Sequence, residues 1–331
     1  MIPFKIAGNG TYQPELTVPS SQLDKKFGKQ AGWTEKKFGI KKRSVANSQE
    51  TSSVMGAAAA QKALEKAGWD ARDLDVIIGA CGVMEQPIPS TSVLIQQHMG
   101  LGNSGIPTFD VNLTCLSFLS AFDVATMGIS CGRWKKILIV SSDIASAGLD
   151  YSVPETASIF GDGAAAICLE ATMDQNGPGM LSRGFETYGD AHKLAVLRAG
   201  GTRLRVEEGY DAIVKGSYFE MDTFGIFKAA AKCLPDLIDR TLEQAGYTRE
   251  TIDFVVCHQA SAPAVEHIRR MFKPAPDKVV NIFSEVGNQI ATSIPTVLSH
   301  TLDHGLVKAG QSILLLGTAA GVSAGTIVLR V

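Results

Sequence analysis

Short runs rich in valine and isoleucine punctuate the first half of the chain at residues 75–81, 108–111, 136–142 and 164–169, and each reads as a buried strand. The second half carries the series again in the same order, at 253–257, 279–283, 312–316 and 326–329. Residues 1–15 add an opening strand that runs into Gly8, Asn9, Gly10 and Pro14. Helical segments separate the runs, and those at 51–67 and 224–245 are each followed by glycine as a stop signal. The pattern predicts two α/β halves built on one plan, the first spanning 1–175 and the second 176–331.

Two copies of a mixed strand and helix pattern need both sheet faces covered, which predicts helices layered around two sheets. The segment 116–129 is apolar around nearly its whole circumference, with Leu116, Phe118, Leu119, Phe122, Val124, Met127 and Ile129, and so belongs between the sheets. Residues 176–222, glycine-rich and carrying Arg203 and Arg205, interrupt the repeat and read as a covering region.

Composition narrows the class. The 331 residues carry a formal charge of −2, so no global field attracts nucleic acid or an acidic membrane. Hydrophobic residues make up 45% and charged ones 19%, the balance of a packed protein and not of a disordered one. The N-terminus lacks the regions of a secretory signal, and the least charged stretch, 309–329, is broken by four glycines, which suits strand, turn and strand better than a membrane span. Six cysteines without paired spacing, in apolar surroundings, read as buried free thiols in the cytoplasm.

Three residues carry chemistry at positions the pattern marks. Cys115 follows a strand and opens the apolar helix, where unpaired N–H groups and the helix dipole favour a thiolate; the alternative is a small buried hydrophobe. His258 directly follows the strand at 253–257, where an imidazole can project into a shared crevice as base or donor, or serve only as a structural histidine. Asn288, beside Gly287 and ahead of a helix at about 290–304, is a third polar group or a turn residue, and it holds a place in its half related to that of Cys115. No second metal pair accompanies Cys257 and His258, so no metal is called for. Gly161 to Ala166 fits G-x-G-x-x-A, but a strand follows where a dinucleotide site needs a helix, and no cofactor is expected.

These residues stand in an ordered set: Trp33 with Phe38-Gly39-Ile40 and Arg43, Pro89-Ser90-Thr91, Asp110-Val111 through Cys115, Phe160-Gly161-Asp162-Gly163-Ala164, His258-Gln259-Ala260, and Gly287-Asn288. Over nearly the whole length the chain resembles the ketoacyl-acyl-carrier-protein synthase III family of the thiolase-like superfamily. The resemblance implies a five-layer αβαβα fold with two pseudo-repeated halves, a homodimer, and Cys115, His258 and Asn288 as nucleophile and activating groups. It also implies an oxyanion site from the backbone of Cys115 and Ala320, with substrate contacts at Trp33, Lys37, Ile88 and Phe224. Arg269, Arg270 and Lys273 would dock an acidic carrier, and the substrates would be acyl-CoA and malonyl-acyl carrier protein.

The chain departs from the family pattern at several of these places. Leu116-Ser117-Phe118 replace small residues after the nucleophile, Ser261 replaces an asparagine, and Ile88 stands where relatives carry an aromatic gate. Lys37 replaces an arginine, Pro263 lies near a lost one, and Ala320 replaces glycine. The expected reaction is decarboxylative condensation of an acyl thioester with a malonyl thioester. The alternatives are a non-condensing acyltransferase, a thiol hydrolase sharing the order Cys, His, Asn, and a noncatalytic partner in a heterodimer.

Overall fold

The computed structural model describes residues 1–331. Ten strands form one continuous mixed sheet in the order Val279–Val280, Phe254–Cys257, Ser312–Ala319, Ser323–Arg330, Gly179–Thr187, Ile2–Tyr12, Gly163–Ala171, Lys136–Asp143, Val76–Gly79 and Thr108–Asp110. Read from either edge inward, each half orders its own strands third, second, fourth, fifth, first. Polarity repeats as well: the third, second and fourth run parallel, and the fifth is antiparallel to the fourth and the first. Only Ile2↔Met180 and Pro3↔Gly179 join the halves in the sheet, leaving them free to face each other.

Alternate side chains of a strand point to opposite faces, and this parity builds the layers. Along Lys136–Asp143, Ile137 and Ile139 enter a central core with the helix Ser117–Ser130, whereas Leu138 and Val140 pack beneath the helix Ser52–Ala67. In Ser312–Ala319, Ile313 and Leu315 share that central core with the helix Ser293–Asp303, and Leu314 and Leu316 lie under Thr223–Gln244. The sequence of layers is helix, half-sheet, helix pair, half-sheet, helix, the αβαβα arrangement of the thiolase-like fold.

Two expectations change. The strand Gly179–Thr187 is the second half's first strand, so the covering region starts after it. Its polar residues Ser182, Arg183 and Glu186 hide it from a search for apolar runs, and Gly184 must lack a side chain because a Cβ there would meet Leu237 Cδ1 at 2.7 Å and Thr241 Oγ1 at 2.8 Å. All six cysteines are free, but Cys131 is exposed, because it caps the solvent end of the helix Ser117–Ser130. No helix is long and apolar enough to cross a membrane.

Close packing of the strand Ile2–Tyr12 on the helix Ser52–Ala67 rests on two glycines, since a Cβ at Gly8 or Gly10 would overlap the carbonyl oxygens of Ala63 or Ala59. Gly10→Ala is expected to destabilise the protein by about 1–3 kcal/mol through forced separation of helix and strand. Equilibrium urea unfolding with an unchanged slope and a lowered midpoint checks this; an unchanged midpoint would contradict the packing.

Candidate active site

Cys115 sits on a 3-10 turn, Thr114–Leu116, that leads into the helix Ser117–Ser130. The turn begins with Thr114 in the left-handed region at φ 48°, a strained setting for a β-branched residue. Asn112 holds it there, its Oδ1 accepting from Thr114 N at 2.9 Å while its Nδ2 donates to Gly82 O at 3.3 Å. The second half repeats the device. Ile290 has φ 51° at the start of the turn Ile290–Thr292, Asn288 Oδ1 accepts from its N–H at 2.9 Å, and Asn288 Nδ2 donates to Ala260 O at 3.2 Å.

This register corrects the positional relation drawn from the sequence. The counterpart of Asn288 is Asn112, and the counterpart of Cys115 is Ala291, because the strained residue precedes each of that second pair. The same bookkeeping pairs His258, whose N–H donates to Leu316 O at 2.9 Å, with Ala80, whose N–H donates to Val140 O at 2.7 Å. The nucleophile's place is thus filled in one half and the imidazole's place in the other.

Several contacts tie together the loops that carry the three residues. Gly317 lies between the halves: a Cβ there would stand 2.8 Å from His258 Cβ, 3.1 Å from Leu116 Cδ2 and 3.4 Å from Ile294 Cδ1. At Gly82, the turn carrying Ile290 closes on the carbonyl of Thr114. Gln259 fixes the loop after His258, with Nε2 donating to Cys257 O at 3.0 Å and Oε1 accepting from Ile282 N at 3.1 Å. The stretch Phe160-Gly161-Asp162 steadies Asn288: Asn288 N donates to Ile159 O at 2.7 Å, and Gly161 N donates to Asn288 O at 3.1 Å. The apparent G-x-G-x-x-A therefore braces the asparagine and runs on into the strand Gly163–Ala171.

Burial sets the resting charges. The Cys115 residue is half-buried, its sulfur is surrounded by protein, and burial followed by the charge of Asp143 pushes the thiol up to about 12, against the N–H groups of Cys115 and Ala320. The thiolate expected from the helix start is overturned: desolvation outweighs the dipole. Burial also lowers His258 to about 4, so the imidazole is neutral, and its Nδ1 has no hydrogen-bond partner. A neutral thiol beside a neutral base can exchange one proton without stranding a lone charge. Ala320 stays outside the left-handed region, which falls on Gly321 instead, and its N–H acts against burial in setting the thiol's pKa.

A narrow pocket leads to His258, lined among others by Phe227, Ala230, Leu234, His267 and Gly317. Phe227, not Phe224, borders it: Phe224 is one turn earlier and 75% exposed. His267, on the basic helix Ala262–Met271 read from the sequence as a docking surface, meets Phe227 edge-on at 5.3 Å, and its buried Nε2 has no partner. Ile88 is 86% exposed and does not reach this pocket within the chain. Trp33 packs edge-to-face on Phe38, and Lys37, 4.9 Å from the indole, pairs with Glu155 at 2.8 Å. Arg269 and Arg270 are held by Asp277 and Glu266 at 2.8 and 3.2 Å, whereas Lys273 is exposed without an acidic partner.

The profile of 3-Oxoacyl-[acyl-carrier-protein (ACP)] synthase III matches residues 109–189, and that of its C-terminal region matches 242–331. The Beta-ketoacyl-[acyl-carrier-protein] synthase III of Neisseria meningitidis serogroup C is 35% identical over 327 residues, 98% of each chain. That of Methylococcus capsulatus is 31% identical over 98% of each. The crystal structure of 3-oxoacyl-[acyl-carrier-protein] synthase III from Aquifex aeolicus superposes with a TM-score of 0.89 at 28% identity, covering 99% of this chain and 100% of that one. Sequence profile, full-length identity and superposition agree, and the chain belongs to the beta-ketoacyl-[acyl-carrier-protein] synthase III family.

Proposed function

We propose that Cys115, His258 and Asn288 carry out the decarboxylative condensation of this ketosynthase, an acyltransferase of lipid or related synthesis. What supports the assignment is the approach of the Leu116 and His258 loops across Gly317, with Asn288 Nδ2 bonded to Ala260 O two residues past the imidazole. His258 takes the thiol proton as the sulfur attacks an acyl thioester, and the tetrahedral oxyanion is held by the N–H groups of Cys115 and Ala320. Collapse expels the donor thiolate, which takes the proton from His258 and leaves an acyl-enzyme.

A malonyl thioester then enters, its thioester carbonyl accepting from His258 and from the second hydrogen of Asn288 Nδ2. Loss of CO2 leaves an enolate on that oxygen, and its carbon attacks the acyl carbonyl. The cysteine leaves as a thiolate and takes a proton from solvent as the β-ketoacyl thioester departs. Asn288 is already oriented for this, because its Oδ1 and one Nδ2 hydrogen are engaged by backbone. A non-condensing acyltransferase would have no use for that second hydrogen.

The donor enters along the pocket above His258, where His267 Nε2 is available to an amide of a pantetheine arm. Lys273, Arg269 and Arg270 form the basic lip for an acidic carrier, joined by the exposed Lys25, Lys29 and Lys36 around Trp33. The molecule works as a homodimer in the cytoplasm. Support for the dimer comes from the unpaired outer edge of the strand Thr108–Asp110 and from the exposed apolar Met84, Ile88 and Val93.

Mass spectrometry after incubation with an acyl-CoA panel is expected to show one acyl adduct on the wild type and none on Cys115→Ala. Asn288→Ala is expected to keep the adduct and to lose β-ketoacyl product by 100-fold or more, on the order of removing one oxyanion donor. Full product formation by Asn288→Ala would remove the residue from the mechanism. Ile88→Phe, reaching the partner's pocket across the dimer, is expected to shift the adduct profile to shorter chains; an unchanged profile, or a monomer by sedimentation, would refute the shared pocket.

A further inference from the structure

At the end of the strand Lys136–Asp143 lies a fully buried carboxylate that the mechanism above leaves unused. Asp143 Oδ1 accepts from Gly82 N at 2.8 Å and from Val83 N at 2.9 Å. Its Oδ2 accepts from Ala291 N at 3.1 Å, from Thr292 N at 3.2 Å and from Thr292 Oγ1 at 3.3 Å. The first pair belongs to the N-terminal half and the second group to the C-terminal half. One side chain therefore spans the junction with five donors.

The pseudo-twofold relation gives this contact a meaning. Ala291 is the counterpart of Cys115, and Ala319, next to Ala320, is the counterpart of Asp143. The N–H of Ala291 is thus the symmetry mate of an oxyanion donor, and the Asp143 carboxylate occupies the site corresponding to the oxyanion. The path from nucleophile to carboxamide is continuous: Asn112 binds both Thr114 and Gly82, Gly82 binds Asp143, Asp143 binds Ala291, and Ile290 binds Asn288.

We propose that Asp143 is a positioning residue, an internal anion that fills the second, symmetry-related oxyanion site and so locks the Asn288 loop in register with the Cys115 loop. This rests on the condensing role of Asn288 argued above. Burial first, and then the negative charge of Asp143, keep the Cys115 sulfur protonated at rest. Of the other titratable groups in this interior, Cys81 faces Asp143 and Asp110, and His258 is neutral.

Asp143→Asn places an NH2 against one set of N–H donors and removes the charge. Acylation of Cys115 by acyl-CoA is expected to fall less than about 5-fold while condensation with malonyl carrier falls about 100-fold, the scale of a 1 Å misplacement. The pH profile of Cys115 alkylation by iodoacetamide is expected to move to lower pH, which a purely structural defect would not produce. Equal loss in both half-reactions, or an unmoved alkylation profile, would overturn the proposal. If the wild type alkylates but never condenses, the ketosynthase reading fails while the alkylation shift still decides the link to Asp143. Thr292→Val removes one donor without touching the charge and serves if Asp143→Asn does not fold. It is expected to slow condensation about 3-fold with acylation unchanged, and no change in condensation would overturn the clasp.

Discussion

Two helix starts, at Thr114 and Ile290, are held in a left-handed backbone conformation that β-branched residues avoid, and the site depends on that constraint. Each strained residue is stapled by an asparagine two positions earlier, whose side chain also grips the loop after the neighbouring strand. The turn that results throws the next residue, Cys115 or Ala291, toward the junction. Strain of about 1–3 kcal/mol at each position persists because the surrounding layers over-determine it. In the second half the staple is also the chemistry: Asn288 cannot tighten its loop without aiming its remaining hydrogen into the crevice.

Desolvation then governs the chemistry. A thiol, an imidazole and a carboxylate share a dry interior, and burial acts on each against its charged form: Cys115 rises to about 12, His258 falls to about 4 and Asp143 rises to about 6. The helix dipole contributes at most ~2 kcal/mol in favourable partly buried settings, too little to hold a bare thiolate here. Asp143 differs from the other two because five donors surround it. Those donors accommodate the anion, and burial, with its field added, keeps the sulfur neutral until a thioester brings a carbonyl to the waiting N–H groups.

Much of this was legible in the sequence, for physical reasons that can be named. The valine and isoleucine runs at 136–142 and 312–316 are buried on both faces, so the repeat stood out and led to the layers. The helix at 116–129 betrayed its central place by having no polar side. The strand Gly179–Thr187 stayed hidden because Ser182-Arg183 and Glu186-Thr187 break up its apolar residues. Phe224 and Phe227 are one helical turn apart, and periodicity alone does not say which meets the pocket. The thiolate expectation failed because a helix start is visible in sequence and the density of protein around a sulfur is not. The pairing of Asn112 with Asn288 was available: Asn, one residue, a β-branched residue and a small one recur in Asn112-Leu113-Thr114-Cys115 and Asn288-Gln289-Ile290-Ala291. Counting from strand ends, whose lengths differ between halves, set the register wrongly.

The asymmetry between the halves follows from what one crevice can hold. Were the strand end at Ala319 also aspartate, its carboxylate would lie against Cys115 N–H as Asp143 lies against Ala291 N–H, and the reaction's oxyanion would have no donor left. Were Asp143 alanine, the donors at Ala291 and Thr292 would lie buried and unpaired, at a cost of about 1–3 kcal/mol for each such group. A catalytic crevice between two like halves therefore needs one anion site left open for the substrate and its mate filled by the chain. Ala319 and Asp143 are the two answers to that single requirement.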